Sequence, residues 1–157
     1  KGRRIRYRTT YRYKPIAAQM SDSTQAALRY GFETNSMWLR LEVGSGTQRQ
    51  DGLYVVPVKL AIPIDSLVLL PRADHFYGRT RLYFGAIDND EAMSDVSDLE
   101  LPIRIPQGQF EDAKGKYWPY ETSLLMREGP HQIAVGLRDE LGANTSFVKK
   151  TFFVGSG

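Results

Sequence analysis

The chain has 157 residues, 41% hydrophobic and 25% charged, with a formal net charge of +3 and no cysteine. That length and balance suit one globular domain, with or without an appendage, large enough to bury a core without covalent staples. Disulfides, thiolate zinc sites and cysteine nucleophiles are excluded, and no run of about eighteen apolar residues offers a transmembrane helix.

The charge is unevenly spread. Residues 1–14 carry seven basic groups and no acid, so the remainder holds 14 basic against 18 acidic residues. The basic character therefore belongs to an arm and not to the body. The chain begins with Lys1, not Met, which leads us to expect a processed product or an excised fragment.

In the arm, Ile5, Tyr7, Thr9, Tyr11 and Tyr13 alternate with Arg4, Arg6, Arg8, Thr10 and Arg12. β-branched and aromatic residues at a period of two predict a strand, closed by Pro15. Ser21 to Tyr30 has helix-start residues, then Ala26, Ala27 and Leu28, then Gly31 at the expected stop. A helix of about two turns is predicted, held by docking and not by its own stability.

From Met37 onward the pattern is β. Met37, Leu39, Leu41 and Val43 alternate with polar or bulky neighbours, and Gly44 to Gly52 is a loop. Tyr54, Val56, Val58, Leu60 and Ile62 form the cleanest alternation of all. Pro57 within that run predicts an edge position or a bulge, because proline brings no N–H to a ladder. Ile64 to Leu70 is a short apolar run, and Pro71 to Gly78 a loop. Arg79 to Ile87 is a strand that ends in the acidic loop Asp88 to Asp98. Leu101, Ile103 and Ile105 alternate between Pro102 and Pro106, and Tyr117 to Met126 is strand-like.

The last hairpin is the organising element. Ile133, Val135 and Leu137 form one apolar row, with Ala134 and Gly136 on the opposite face. Asp139 to Thr145 collects turn residues, and Ser146 to Val154 returns as a strand. Short strands at even spacing with turns between them predict an all-β fold. The expected architecture is an immunoglobulin-like antiparallel β-sandwich of about 7–8 strands, with an N-terminal strand or arm and one short helix. Residues 1–35 would be the connector and 36–157 the sandwich.

Three groups of residues carry chemistry worth weighing. Asp88, Asp90, Asp95 and Asp98, with Asn89, Glu91 and Glu100, crowd hard oxygens into one loop, as calcium requires, although the spacing is not that of an EF-hand. Otherwise the run is a solvated loop, and no other cofactor is indicated. The arm residues Arg4, Arg6, Tyr7, Arg8, Tyr11, Arg12 and Tyr13 form a candidate partner-binding strip. They could pair with the sheet edge of a neighbouring subunit by strand addition. Nucleic acid is disfavoured as their partner, because the acidic body offers no second basic stripe. Tyr117-Trp118-Pro119-Tyr120 and Phe76-Tyr77 could build a stacking surface for sugar or protein. By burial tendency Trp118 or Trp38 is instead expected in the core. His75 and His131 stand in no metal-spaced pair, and Glu111/Glu121 is the carboxylate pair considered for glycoside chemistry. No nucleophile–base constellation can be assembled, so catalysis is not expected.

Ile133-Ala-Val-Gly-Leu-Arg138-Asp139, then Gly142, Ser146-Phe147-Val148 and Phe152-Phe153-Val154, resembles the closing segment of the C-terminal β-sandwich region of bacterial, acidobacterial-type VWFA-related domain proteins. Lys1 to Tyr30 resembles the Arg/Tyr-rich connection that precedes that region. The resemblance implies a non-enzymatic, exported module of a larger bacterial protein, periplasmic, secreted or at the cell surface. The metal motif of the A-type domain, Asp-x-Ser-x-Ser, is missing here, so its metal-dependent adhesion does not carry over. A structural or protein-interaction role is the leading expectation. The alternatives are a filament or pilus-like subunit that self-associates through the arm, and a carbohydrate-binding module.

Overall fold

A computed structural model describes residues 16–30, 34–88, 94 and 96–155. The predicted arm strand lies outside them. Among the described residues nine strands form two antiparallel sheets. They are β1 (Arg40–Val43), β2 (Thr47–Gln48), β3 (Tyr54–Pro63), β4 (Leu70–Pro71), β5 (His75–Ile87), β6 (Ser97–Pro106), β7 (Tyr117–Met126), β8 (Gly129–Asp139) and β9 (Thr145–Val154). In the first sheet β3 is central, flanked by β7 on one side and by β1 and then β2 on the other. In the second sheet the order is β6-β5-β8-β9, and the short β4 pairs with the start of β5. The chain is an all-β, immunoglobulin-like sandwich, as its periodicity predicts.

The alternation that predicted β3 now reads as burial. Tyr54, Val56, Val58, Leu60 and Ile62 point inward, and the residues between them are half-buried or exposed. Leu60 and Ile62 meet Leu82 of β5, Val135 and Leu137 of β8 and Val148 of β9, so both sheets share one core. Burying each such side chain contributes about 1.5–3 kcal/mol before the entropy of ordering it is subtracted.

Pro57 departs from expectation. Its strand is central, not an edge. The carbonyl of Pro57 accepts the Gly44 N–H at 2.8 Å, and a strand residue's nitrogen faces the same side as its carbonyl. The missing donor therefore faces the interruption between β1 and β2, where the neighbouring chain leaves the ladder.

The boundaries moved in three more places. The first strand begins at Arg40, because residues 34–37 are drawn to β9 instead: Phe147 N–H donates to Thr34 O, and Met37 N–H to Ser146 Oγ. β5 reaches back to His75, through the predicted loop. Ile64–Ser66 is a single 3-10 turn. A short helix, Phe110–Ala113, covers the end of the core beneath Ile103 and Ile105.

The first helix, α1 (Ile16–Tyr30), begins five residues earlier than its sequence signals suggest. Met20, Thr24 and Ala27, spaced by four and three, form its buried stripe. It lies across the outer face of the second sheet, where Tyr83, Gly136 and Phe147 sit side by side on β5, β8 and β9. Large, absent and large side chains make a groove there. A Cβ on Gly136 would stand 2.8 Å from both the Phe147 ring and Thr24 Oγ1, so only glycine lets the helix approach.

The β8–β9 turn is pinned by a fully buried carboxylate. Asp139 accepts the N–H groups of Val68 (2.8 Å), Leu141 (3.0 Å) and Gly142 (3.1 Å). One side chain thus closes the hairpin and ties down the crossover between the sheets. Charge-assisted bonds to backbone donors offset the cost of burying it.

Candidate functional site

Strand β7 splits the Tyr117–Tyr120 cluster. Trp118 and Tyr120 turn inward and pack against the core, while Tyr117 and Pro119 face outward. The four therefore form no single stacking surface. Phe76 and Tyr77 part in the same way: Phe76 stacks on Phe110 with ring centroids 3.8 Å apart, and Tyr77 lies beneath the Arg72 guanidinium at 4.9 Å. The period of two that makes these residues a strand also separates them.

The expectation that Trp118 or Trp38 lies in the core is met by Trp118 and not by Trp38. Trp38 is 76% exposed and adopts φ 60, a left-handed conformation that costs a bulky residue about 1–2 kcal/mol. The turn is held from both sides. Asn35 Nδ2 donates to Leu39 O, Leu39 N–H donates to Asn35 Oδ1, and Trp38 N–H donates to Asn35 O.

A cleft of about 620 Å³ opens where β6 and β7, the facing edge strands of the two sheets, diverge at their Pro106 and Tyr117 ends. Its apolar wall is Ile64, Ile105 and Trp118, three residues that already belong to the core and are therefore rigid. Arg104, Gln109, Asp112 and Lys116 add polar groups to the lining, with Tyr117 beside them. The Arg40 guanidinium lies 5.6 Å from the centre of the Tyr117 ring and steadies it. An apolar wall with a few placed polar groups is the usual make-up of a ligand site. The two cations could hold an anionic group and the exposed Tyr117 a ring. Of the aromatics singled out in the sequence, Tyr117 and Trp118 line this cleft. Arg104, Lys116 and Gln109 were missed, because single polar residues on two edge strands and a loop carry no pattern in sequence.

The other candidates are dispersed. Asp98 lies on β6, where its Oδ2 is 2.8 Å from Arg81 Nη1, and Glu100 is 3.2 Å from Arg81 Nη2. Asp88 directly follows β5, whereas Asp90 and Asp95 fall outside the described residues, as do Arg4, Arg6, Tyr7, Arg8, Tyr11, Arg12 and Tyr13. No group of three metal-ligating side chains occurs among the described residues. Glu111 pairs with Lys114 and Glu121 with Lys59 on separate elements. His131 is buried, with Nε2 2.7 Å from Arg127 O and its ring near Phe152. His75 Nδ1 is 2.8 Å from Asp74 Oδ1; that contact, with Arg104 further off, holds the Asp74 carboxyl below the usual carboxylate range.

The class is thus an immunoglobulin-like sandwich with a cleft at one end of an open flank. It is similar in outline to an X-ray structure of a Northeast Structural Genomics Consortium target, at a TM-score of 0.47 and 14% identity over 78% of this chain and 89% of that one. A Bordetella pertussis structure assigned as ApaA gives a TM-score of 0.45 and 10% identity over 76% and 95%. No family model and no curated protein matches the chain. Among the described residues no helix is long and apolar enough to cross a membrane.

Proposed function

We propose that this chain is a non-catalytic recognition module of a larger, extracytoplasmic bacterial protein of the VWFA-related kind, and that the β6–β7 cleft is its ligand-facing surface. The observation that carries this reading is the cleft's composition: core side chains form one wall, and Arg104, Gln109, Asp112 and Lys116 stand around it. Rigid support keeps the entropy cost of binding low, because the wall is already ordered by the fold. NMR of nitrogen-labelled chain, titrated with soluble polysaccharides, peptides and unlabelled chain, tests it. Shifts concentrated in residues 104–118 are expected with one of these partners. Shifts confined to other surfaces would defeat the reading.

A second reading, self-association through the arm, is favoured by β7. That strand pairs with β3 alone among the described residues, and Thr122 to Met126 contains neither proline nor charge. An arm strand from a second copy could extend the sheet there. Concentration-dependent polymers in sedimentation, abolished by deletion of residues 1–14, would support it. A monomer at all concentrations would end it.

A further inference from the structure

Among the described residues Arg49, Lys59, Arg79, Arg81 and Lys114 each pair with a carboxylate on the surface, while Arg40 and Arg72 lie over tyrosine rings. Arg104 and Lys116 form no salt bridge among the described residues, and both line the same cleft, where Asp112 is the acid of the lining; outside that lining Asp74 interacts with Arg104 from further off, and Asp65 accepts the Gly115 N–H next to Lys116. Two cations against one carboxylate leave the lining positive, although the body carries more acidic than basic groups. An apolar wall also strengthens electrostatic attraction by lowering the local dielectric.

The flanking strands constrain the shape of an occupant. β6 carries Pro102 and Pro106 and β7 carries Pro119, so the edges beside the cleft lack donors that a peptide strand would need. An extended peptide could not continue either ladder at that point. A ring with apolar faces can lie against the exposed Tyr117 without any ladder.

We propose that the cleft binds a saccharide bearing an acidic group, carboxylate or sulfate, with its ring against the exposed Tyr117 and its charge held by Arg104 and Lys116. This rests on the cleft being the recognition surface and names the ligand class. Arg104 is the residue suited to bidentate contact with a carboxylate or sulfate, and Lys116 acts as a point charge.

The test is isothermal titration of the full chain with four probes: an oligogalacturonate, a sulfated oligosaccharide, a neutral cello-oligosaccharide and poly-glutamate. The oligogalacturonate or the sulfated probe should bind about tenfold or more tightly than the neutral one, and which of the two binds identifies the acidic group. Arg104→Gln with Lys116→Gln should weaken that binding about tenfold or more, and Tyr117→Ala should do the same through the ring. All three residues lie at the edge of the fold, and unchanged melting temperatures would establish that the variants fold. Equal binding of acidic and neutral saccharides, or indifference to the Arg104/Lys116 pair, overturns the proposal. Binding of poly-glutamate alone, with shifts in residues 104–118, overturns it too while leaving the cleft as a recognition surface. No probe binding and no shifts there would sink both.

Discussion

The two outer faces of the sandwich were given opposite fates by the same kind of strand. On the second sheet, Ala134 and Gly136 leave a trough between Tyr83 and Phe147, and α1 fills it with Met20, Thr24 and Ala27. On the first sheet the outward residues of β3 and β7 mix small and apolar groups such as Val55, Pro57, Ala61, Ser123 and Leu125 with the Lys59–Glu121 ion pair, and among the described residues no helix lies above them. Leu125 is 51% exposed there, whereas Tyr83 on the covered face is only 2% exposed. The covered face offers an uncharged trough that a helix can enter, whereas the bare face carries an ion pair at its centre and no such trough.

The sharpest way to break this contrast is a pair of truncations. Tyr83→Ala should cost about 3–5 kcal/mol, as large aromatic truncations in a closed site do, while Leu125→Ala should stay within about 0.5 kcal/mol. Urea melts of the two variants check it; equal losses would erase the distinction between the faces. Next comes the trough itself. Gly136→Ala should lose about 1–3 kcal/mol by overpacking Thr24 and Phe147, whereas Ala61→Val on the bare face should change little. Proteolytic cleavage of α1 accelerated only in the first variant would locate the damage in helix docking.

The third test is pH. Burial pushes the Tyr83 hydroxyl above the ordinary phenol range. The unfolded chain loses this proton near about pH 10 and the folded chain only at higher pH. In that window the folded state holds more protons, so stability is full below about pH 10 and falls as pH rises beyond it. Tyr83→Phe should flatten that alkaline decline, and an unchanged slope would refute the assignment. The smallest effect belongs to the charged end of the same face, where Arg81 meets Asp98, Glu100 and Glu140. These pairs are largely solvated, so Arg81→Met should cost about 1 kcal/mol or less, and the loss should shrink in concentrated salt.

Much of this was written in the order of the residues. Tyr54 to Ile62 and Ile133 to Leu137 declare their inward rows by alternation, since a side chain on a strand can point only one of two ways, although Ala134 and Gly136 on the opposite face are buried as well. The turn at Asp139 to Thr145 is equally plain from its composition, although the role of Asp139 in reaching Val68 is not. Other signals misled. Ser21-Asp22-Ser23 looks like a helix start but lies inside α1, because docking of Met20 against the sheet outweighs weak local preference. Pro57 looks like an edge residue, and only the break between β1 and β2 explains its central place. Trp38 looks like core, but a turn clamped by Asn35 turns it to solvent.

By itself, then, the order of amino acids determined an all-β sandwich, its inward rows and its closing hairpin, because those follow from local periodicity. Tertiary structure alone decided which face α1 covers, where the two sheets part, and that Arg104, Lys116 and Trp118 share one cleft. These juxtapositions join residues far apart in the chain, and their distances depend on how the sheets and connections pack. No pattern at the scale of one strand encodes them.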